Sequence, residues 1–320
     1  MLYSVHPLKG TFATENLVST RGKMLSYIAL GLRLRALPAD TLLHAHGASG
    51  YGLSAMLSGR SYIATVYGSE ILRPHGFAYS RMVDAVLRNA SAITVTSADA
   101  KARIVRKSPT VGMKTHYFHT GLDTQQTALI RRSGAHGSGE TLKIMLLRNT
   151  AAHYRTREVL VAVAQAIGDQ KNKRVIVPLG NGDETYFNDL RREFNDSRFI
   201  FIDRPCDHQE YMQMMSDSDV CINFPVSDQT SATLLEALYF DRVVVTNRLA
   251  SYADLTSVVE KTGDWFFVDS DDQLTSRITQ AIARAEKPQE GVRKGRDLIS
   301  EHFSIERASC LFNEILEELR

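Results

Sequence analysis

Two carboxylates eight positions apart, Asp228 and Glu236, flank a stretch whose residue types suit a ligand that is polar at both ends. Residues 220–225 form a short apolar run ended by proline, and residues 243–246 form a β-branched run. Both read as buried parallel strands. Between them a helix is expected, capped by Thr230 or Ser231, with Leu234, Leu235 and Leu238 on its apolar face. Asp228 then falls on the loop leaving the first strand, and Glu236 inside the helix. In an open α/β sheet, a loop at the carboxyl end of a strand that leads into a helix N-terminus is where phosphorylated ligands bind. A carboxylate on each side suits hydroxyls at both ends and phosphates in the middle, which is the chemistry of a nucleotide sugar. A surface Asp and a helical Glu with no shared ligand is the structural alternative, and the spacing alone leaves both open.

The elements that must position these groups follow the same alternation. Strands are expected at 40–46, 61–67, 92–96, 114–118, 142–147, 174–179, 198–202 and 265–268. Helices are expected at 51–57, 84–88, 98–107, from 184, at 207–215 and at 273–285, with Ser97 and Asp207 as caps. A chain of 320 residues with 43% hydrophobic residues is long enough for two domains with full cores. The expected divisions are 1–125, a Gly- and Ser-rich linker at 126–140, a second domain at 141–300 and a terminal helix at 301–320. Three widely spaced cysteines, Cys206, Cys221 and Cys310, fit a reducing compartment and no disulfide framework. No run of 18 apolar residues occurs.

Charge is unevenly spread. Residues 1–125 carry 14 Lys and Arg against 6 Asp and Glu, whereas residues 126–320 carry 24 against 30. The first half is therefore the one expected to meet an anionic partner or a membrane. Within it, residues 21–37 read as an amphipathic basic helix, with Met24, Leu25, Ile28 and Leu32 beside Arg21, Lys23, Arg33 and Arg35. That pattern leaves two readings open, a helix packed on the sheet with solvated arginines and a contact with anionic lipid.

The element from Asp228 to Glu236 resembles the E-x₇-E element of the retaining, GT-B-fold glycosyltransferases of family 4, the group 1 glycosyltransferases. The likeness extends in motif order from about Asp40 to the C-terminus. His44-Ala-His46-Gly47 and Thr65-Val-Tyr67-Gly-Ser-Glu70 resemble acceptor-domain segments, His119-Thr-Gly-Leu-Asp123 resembles the crossing between domains, and Phe303-Ser304 resembles the start of the final helix. The resemblance implies an α/β fold of two Rossmann-like domains facing each other across a cleft, the GT-B arrangement. Relatives carry further β/α units ahead of the first of these segments. Only about 40 residues precede it here, so the N-terminal domain is expected to be incomplete. The chain departs from the family in having Asp228 rather than Glu, then Gln229-Thr230-Ser231 rather than a glycine-containing loop, and Tyr67 where many relatives have histidine.

For the donor, the resemblance implies that Glu236 binds the ribose hydroxyls and that Asp228 faces the sugar. The amides of Gln229, Thr230 and Ser231 would meet sugar and pyrophosphate, and Gly180 and Gly182 would let backbone approach the nucleotide. Arg148 and Arg155 would hold the pyrophosphate, with Arg157 as a competitor for the second place; arginine suits this through its planar fork. On the acceptor side it implies His46, Tyr67 and Glu70. His44 and His46, two apart on one strand face, form a possible metal pair, but no third ligand stands near them in sequence, so no metal is expected.

Three function classes follow. The first is a metal-independent retaining glycosyltransferase, moving sugar from a nucleotide-sugar donor to a glycan or lipid-linked acceptor, as a step of cell-surface polysaccharide assembly. It would be cytoplasmic, in peripheral contact with the inner face of the membrane, and no nucleic acid partner is expected. The second is a metal-dependent transferase using Asp217-Ser-Asp219 or Asp269-Ser-Asp271. The third is an inactive nucleotide-sugar-binding subunit, or a nucleotide-sugar epimerase, on the same fold.

Overall fold

The computed structural model describes residues 2–3, 14–15, 23–72, 75–117, 119–130, 141–204, 206–260, 262–287 and 295–319. The chain divides into two compact units, Met1–His119 with Cys310–Arg320, and Thr120–Ser309. The division falls ahead of the linker expected at 126–140, of which residues 131–140 lie outside the described ones.

The first unit holds a four-stranded parallel sheet in sequence order: β1 (Leu42–His46), β2 (Ser61–Val66), β3 (Ala92–Val95) and β4 (Thr115–Tyr117). β2 and β3 are largely β-branched or aliphatic, and β3 is buried along its whole length, whereas β1 carries His44 and His46 and β4 carries His116. Tyr62, Ala64, Val66, Ile93 and Val95 form a core with Val83, Val86 and Leu87 of helix Phe77–Asn89 and Ala100 and Ile104 of helix Ala98–Lys107. Alternate residues Ile63 and Ala92 face the other way, against Ile315 and Phe312. A separate parallel pair, Leu2–Tyr3 with Thr14–Glu15, lies ahead of this sheet in the sequence.

The second unit holds six parallel strands: β5 (Leu142–Leu146), β6 (Lys173–Pro178), β7 (Phe199–Ile202), β8 (Val220–Asn223), β9 (Val243–Asn247) and β10 (Trp265–Val268). Their spatial order is β10-β9-β8-β5-β6-β7. Numbered within the unit, that is the doubly wound Rossmann order, which reverses between β5 and β8. The period of two along each strand divides the core in two. Met145, Leu147, Cys221 and Val244 face one layer of helices; Ile144, Leu146, Val220, Ile222, Val243 and Val245 face the other. Burial of each such aliphatic side chain contributes roughly 1.5–3 kcal/mol, which is why these runs read as strands without polar alternation.

The expected elements are present with ends shifted by one or two residues, with three exceptions: the helix expected at 84–88 runs from Phe77 to Asn89, the one expected at 21–37 ends at Leu34, and the terminal helix expected at 301–320 runs from Ile305 to Glu318 behind a separate helix Gly295–His302. Ser97 and Asp207 cap as expected, accepting from Ala100 N and Glu210 N. The cap expected at Thr230 or Ser231 differs. Ser231 occupies the cap position of helix Ala232–Tyr239 without a side-chain cap bond, its hydroxyl bonding Thr233 Oγ1 at 3.0 Å, and Thr230 Oγ1 donates to Ser251 O at 3.1 Å. Packing against the segment after β9 takes the hydroxyl away from the helix end.

Candidate nucleotide-sugar site

The reversal of strand order between β5 and β8 opens a crevice at the carboxyl ends of the strands, where doubly wound sheets bind ligands. A cavity of about 490 Å³ occupies this edge. It is lined by Leu147, Arg148 and Asn149 after β5, Gly180 and Asn181 after β6, Cys206, His208 and Tyr211 after β7, and Thr233 after β8. That volume lies within the range of small-ligand pockets.

Arg148 is held by three residues. Its Nη2 donates to Tyr154 Oη at 3.1 Å and to Asp228 Oδ1 at 3.4 Å, its Nη1 approaches Thr233 Oγ1 at 3.5 Å, and its guanidinium lies 4.7 Å from the Tyr154 ring centre. Asp228 in turn accepts from Gln229 N at 2.9 Å and from Tyr252 Oη at 3.0 Å, and Tyr252 accepts from Asn223 Nδ2 at 2.9 Å. Burial pushes the Asp228 carboxyl up from its ordinary pKa, while Arg148, the Tyr252 hydroxyl and the Gln229 amide pull it back. Asp228 and Arg148 therefore form one hydrogen-bonded unit. Asp228 reaches the cavity through Arg148 and is not itself a lining residue.

Glu236 lies one helical turn beyond Thr233 and is 3% exposed. Its Oε1 is 3.8 Å from Nε2 of His208, a cavity residue, and its buried Oε2 has no hydrogen-bond partner. Burial raises its pKa from the ordinary 4.5 to about 7. An unpartnered buried carboxylate oxygen is costly, and a hydroxyl donor would satisfy it.

The glycine pair has a geometric reason. Gly180 has φ +57° and a side chain there would strike Asn149; a Cβ on Gly182 would lie 2.2 Å from Thr150 O. Thr150 ties the two loops together, its Oγ1 donating to Pro178 O at 2.9 Å and its carbonyl accepting from Asp183 N at 2.9 Å. Of the pair, Gly180 lines the cavity.

Arg155 and Arg157 stand apart from this cavity. Arg155, in the left-handed region at φ 52°, lies over the Phe224 ring at 4.6 Å and pairs with Asp271. Arg157 pairs with Glu193. Asp269 bonds Arg248, and Asp219 accepts from Lys143 N, so both Asp-Ser-Asp pairs contain carboxylates already engaged within the chain. Gln229 and Thr230 are buried. The groups sequence reasoning missed are Tyr154, Tyr211, Asn223, Thr233 and Tyr252; Asn223 ends a buried strand and Tyr154 and Tyr252 follow one, whereas Tyr211 and Thr233 lie inside helices His208–Ser216 and Ala232–Tyr239 with no local signal.

In the first unit, His44 and His46 share a strand face, with ring centres 4.4 Å apart. His44 Nε2 bonds Thr65 Oγ1 and His46 Nδ1 bonds Tyr67 Oη, each at 2.7 Å, and His44 stacks on Phe312. Burial and, secondarily, His46 lower the His44 pKa to about 4. Glu70 is buried and accepts from Ala48 N at 3.2 Å.

No family model and no curated protein matches the chain in sequence. Solved structures do match it in fold. Sucrose-phosphate synthase from Thermosynechococcus elongatus superposes with a TM-score of 0.75 at 15% identity, covering 92% of this chain and 78% of that one. Anabaena HepE in complex with UDP-glucose gives 0.74 at 15%, covering 96% and 85%. A glycosyltransferase from Rickettsia africae gives 0.70 at 12%, covering 96% and 84%. The chain thus has the α/β, two-Rossmann-unit fold of GT-B glycosyltransferases.

Proposed function

We propose that the protein is a glycosyltransferase that moves a sugar from a nucleotide-sugar donor to a glycan or lipid-linked acceptor. We assign it to the group 1, family 4 type, acting with retention and without a metal, in the cytoplasm and in cell-surface polysaccharide assembly. The observation that carries the reading is the crevice at the β5/β8 reversal, where a fixed arginine lines the cavity beside Thr233 and a buried carboxylate with an unsatisfied oxygen, Glu236, stands one helical turn beyond Thr233. The Anabaena structure with UDP-glucose supports the donor class by likeness of fold.

Cleavage of the bond between sugar and phosphate puts positive charge on the sugar ring and negative charge on the departing nucleoside diphosphate. Arg148, oriented by Asp228 and Tyr154, meets that growing negative charge together with the N-terminal end of helix Ala232–Tyr239. Glu236 accepts from the ribose hydroxyls. His46, Tyr67 and Glu70 belong to the acceptor side in this reading.

The pairing of Arg155 with Asp271, outside the cavity, favours a second reading, a subunit that binds nucleotide sugar without turnover. One experiment separates them. Titration calorimetry with a panel of nucleoside diphosphates, followed by donor hydrolysis in EDTA, is expected to give binding and EDTA-resistant turnover. Binding without turnover supports the second reading, loss of turnover in EDTA rejects metal independence, and absence of binding rejects both.

A further inference from the structure

The resemblance puts Asp228 against the donor sugar, but its surroundings hold it elsewhere. Its segment is pinned from two sides. On one, Val226 N donates to His153 O at 2.9 Å and His153 Nε2 bonds Ser227 O at 2.8 Å, tying it to the turn after β5. On the other, Ser251 Oγ donates to Asp228 O at 2.6 Å, tying it to the turn after β9. A carboxylate has about four acceptor sites, and three of these are filled: Oδ1 receives Gln229 N and Arg148 Nη2, and Oδ2 receives Tyr252 Oη. Aspartate is one methylene shorter than the glutamate of the family. With its backbone held, the side chain ends at the arginine, 13% exposed and off the cavity wall.

Behind the carboxylate the bonds continue inward. Tyr252, 1% exposed, accepts from Asn223 Nδ2 at 2.9 Å, and that donor sets the direction of the hydroxyl, whose proton goes to Asp228 Oδ2. Asn223 is the fully buried last residue of β8, so the row Asn223, Tyr252, Asp228, Arg148 runs from the sheet to the cavity wall. At its outer end both protons of Arg148 Nη2 are spent on Tyr154 and Asp228, which leaves Nε and a proton of Nη1 for a ligand. We propose that Asp228 and Tyr252 are positioning residues, which hold Arg148 against the pyrophosphate of the donor and do not read its sugar. The proposal rests on the crevice being a nucleotide-sugar site. It departs from the family pattern by taking the first carboxylate of the pair away from the donor, so that the choice of sugar falls to other residues.

Titration calorimetry with uridine, UDP and UDP-glucose tests it, with the adenosine series in their place should the uridine series not bind. Asp228→Asn keeps the shape of the side chain and removes its charge; Tyr252→Phe removes only the hydroxyl. Each should weaken UDP about tenfold, weaken UDP-glucose by the same factor and leave uridine unchanged. In an Arg148→Ala background neither should cost anything further, because the residue they hold is gone. Thermal melts confirm that the variants are folded, and Asp228→Asn carries the test if Tyr252→Phe is not. A loss shared by uridine would make the network structural only, and a larger loss for UDP-glucose than for UDP would put Asp228 on the sugar; either overturns the proposal. So does unaltered UDP affinity, or a loss that adds to that of Arg148→Ala. A parent protein that binds neither series rejects the nucleotide-sugar reading itself, and the proposal with it.

Discussion

The carboxyl of Glu236 should cost the protein stability at neutral pH, and replacing it should show by how much. It is buried, its Oε2 has no partner, and the nearby imidazole of His208 belongs to a side chain 72% exposed. Its folded-state pKa of about 7 exceeds the unfolded value of 4.5. Below the unfolded value both states hold the proton and the group contributes no difference. As pH rises through the interval, the unfolded chain releases its proton first, so folding stability falls until the folded carboxyl ionises near pH 7. The full effect would be about 3 kcal/mol, and water entering the adjoining cavity lowers it to about 2 kcal/mol. Glu236→Gln keeps the shape and removes the titration. Its melting temperature should exceed that of the parent by about 4–8 °C at pH 8 and match it near pH 4, below the unfolded value, as read by calorimetry. A saturating nucleoside diphosphate should narrow the gap at pH 8, because ribose hydroxyls donate to the carboxylate. An equal shift at both pH values, or none at either, would refute the burial argument.

Arg148→Ala should weaken binding of a nucleoside diphosphate by about 1.5–3 kcal/mol, the range for a hydrogen bond to a charged group; calorimetry showing unaltered affinity would remove it from the phosphate site. Tyr252→Phe strips Asp228 Oδ2 of its hydroxyl donor and leaves Asn223 Nδ2 without its acceptor, so it should lower stability by about 1–3 kcal/mol in denaturant unfolding. An unchanged midpoint would mean that water replaces the hydroxyl. Arg155→Ala should leave nucleotide affinity within about twofold of the parent, because the side chain is committed to Asp271 and Phe224. A drop of tenfold or more would put Arg155 on the phosphates after all.

The sheets were legible because their strands are continuous apolar runs that need no partner to be read as buried. Runs such as Val243–Asn247 and Ile93–Val95 announce themselves. Arg148 was legible for the same reason, standing just past such a run. What the arginine touches was not: Asp228 lies 80 positions away and Asp271 lies 116 positions from Arg155. These pairings are fixed by which strands lie side by side, and local composition carries no trace of that. Tyr252 was missed because a tyrosine after a strand is common and only packing turns its hydroxyl to Asp228. The helix at Lys23–Leu34 was read as amphipathic from its period, yet both of its faces are apolar: Leu30 and Leu34 are buried, while Met24, Leu25 and Leu32 are exposed. Only the neighbouring helix Gly50–Ser58 distinguishes the covered row from the open one.

The adjacency of β5 and β8 has a consequence for the chain as it is made. The two strands that form the crevice are joined by a bond between Lys143 N and Asp219 Oδ2, 76 positions apart, with β6 and β7 completed in between. During synthesis, β5 emerges with its future neighbour on that side still unmade. Its backbone edge on that side stays unpaired, and the apolar faces beside it stay incompletely covered, until β8 follows, an interval in which chaperones would find it. A ribosome-bound chain halted before Val220 should therefore hold Arg148 yet retain no nucleotide, whatever helices have already formed.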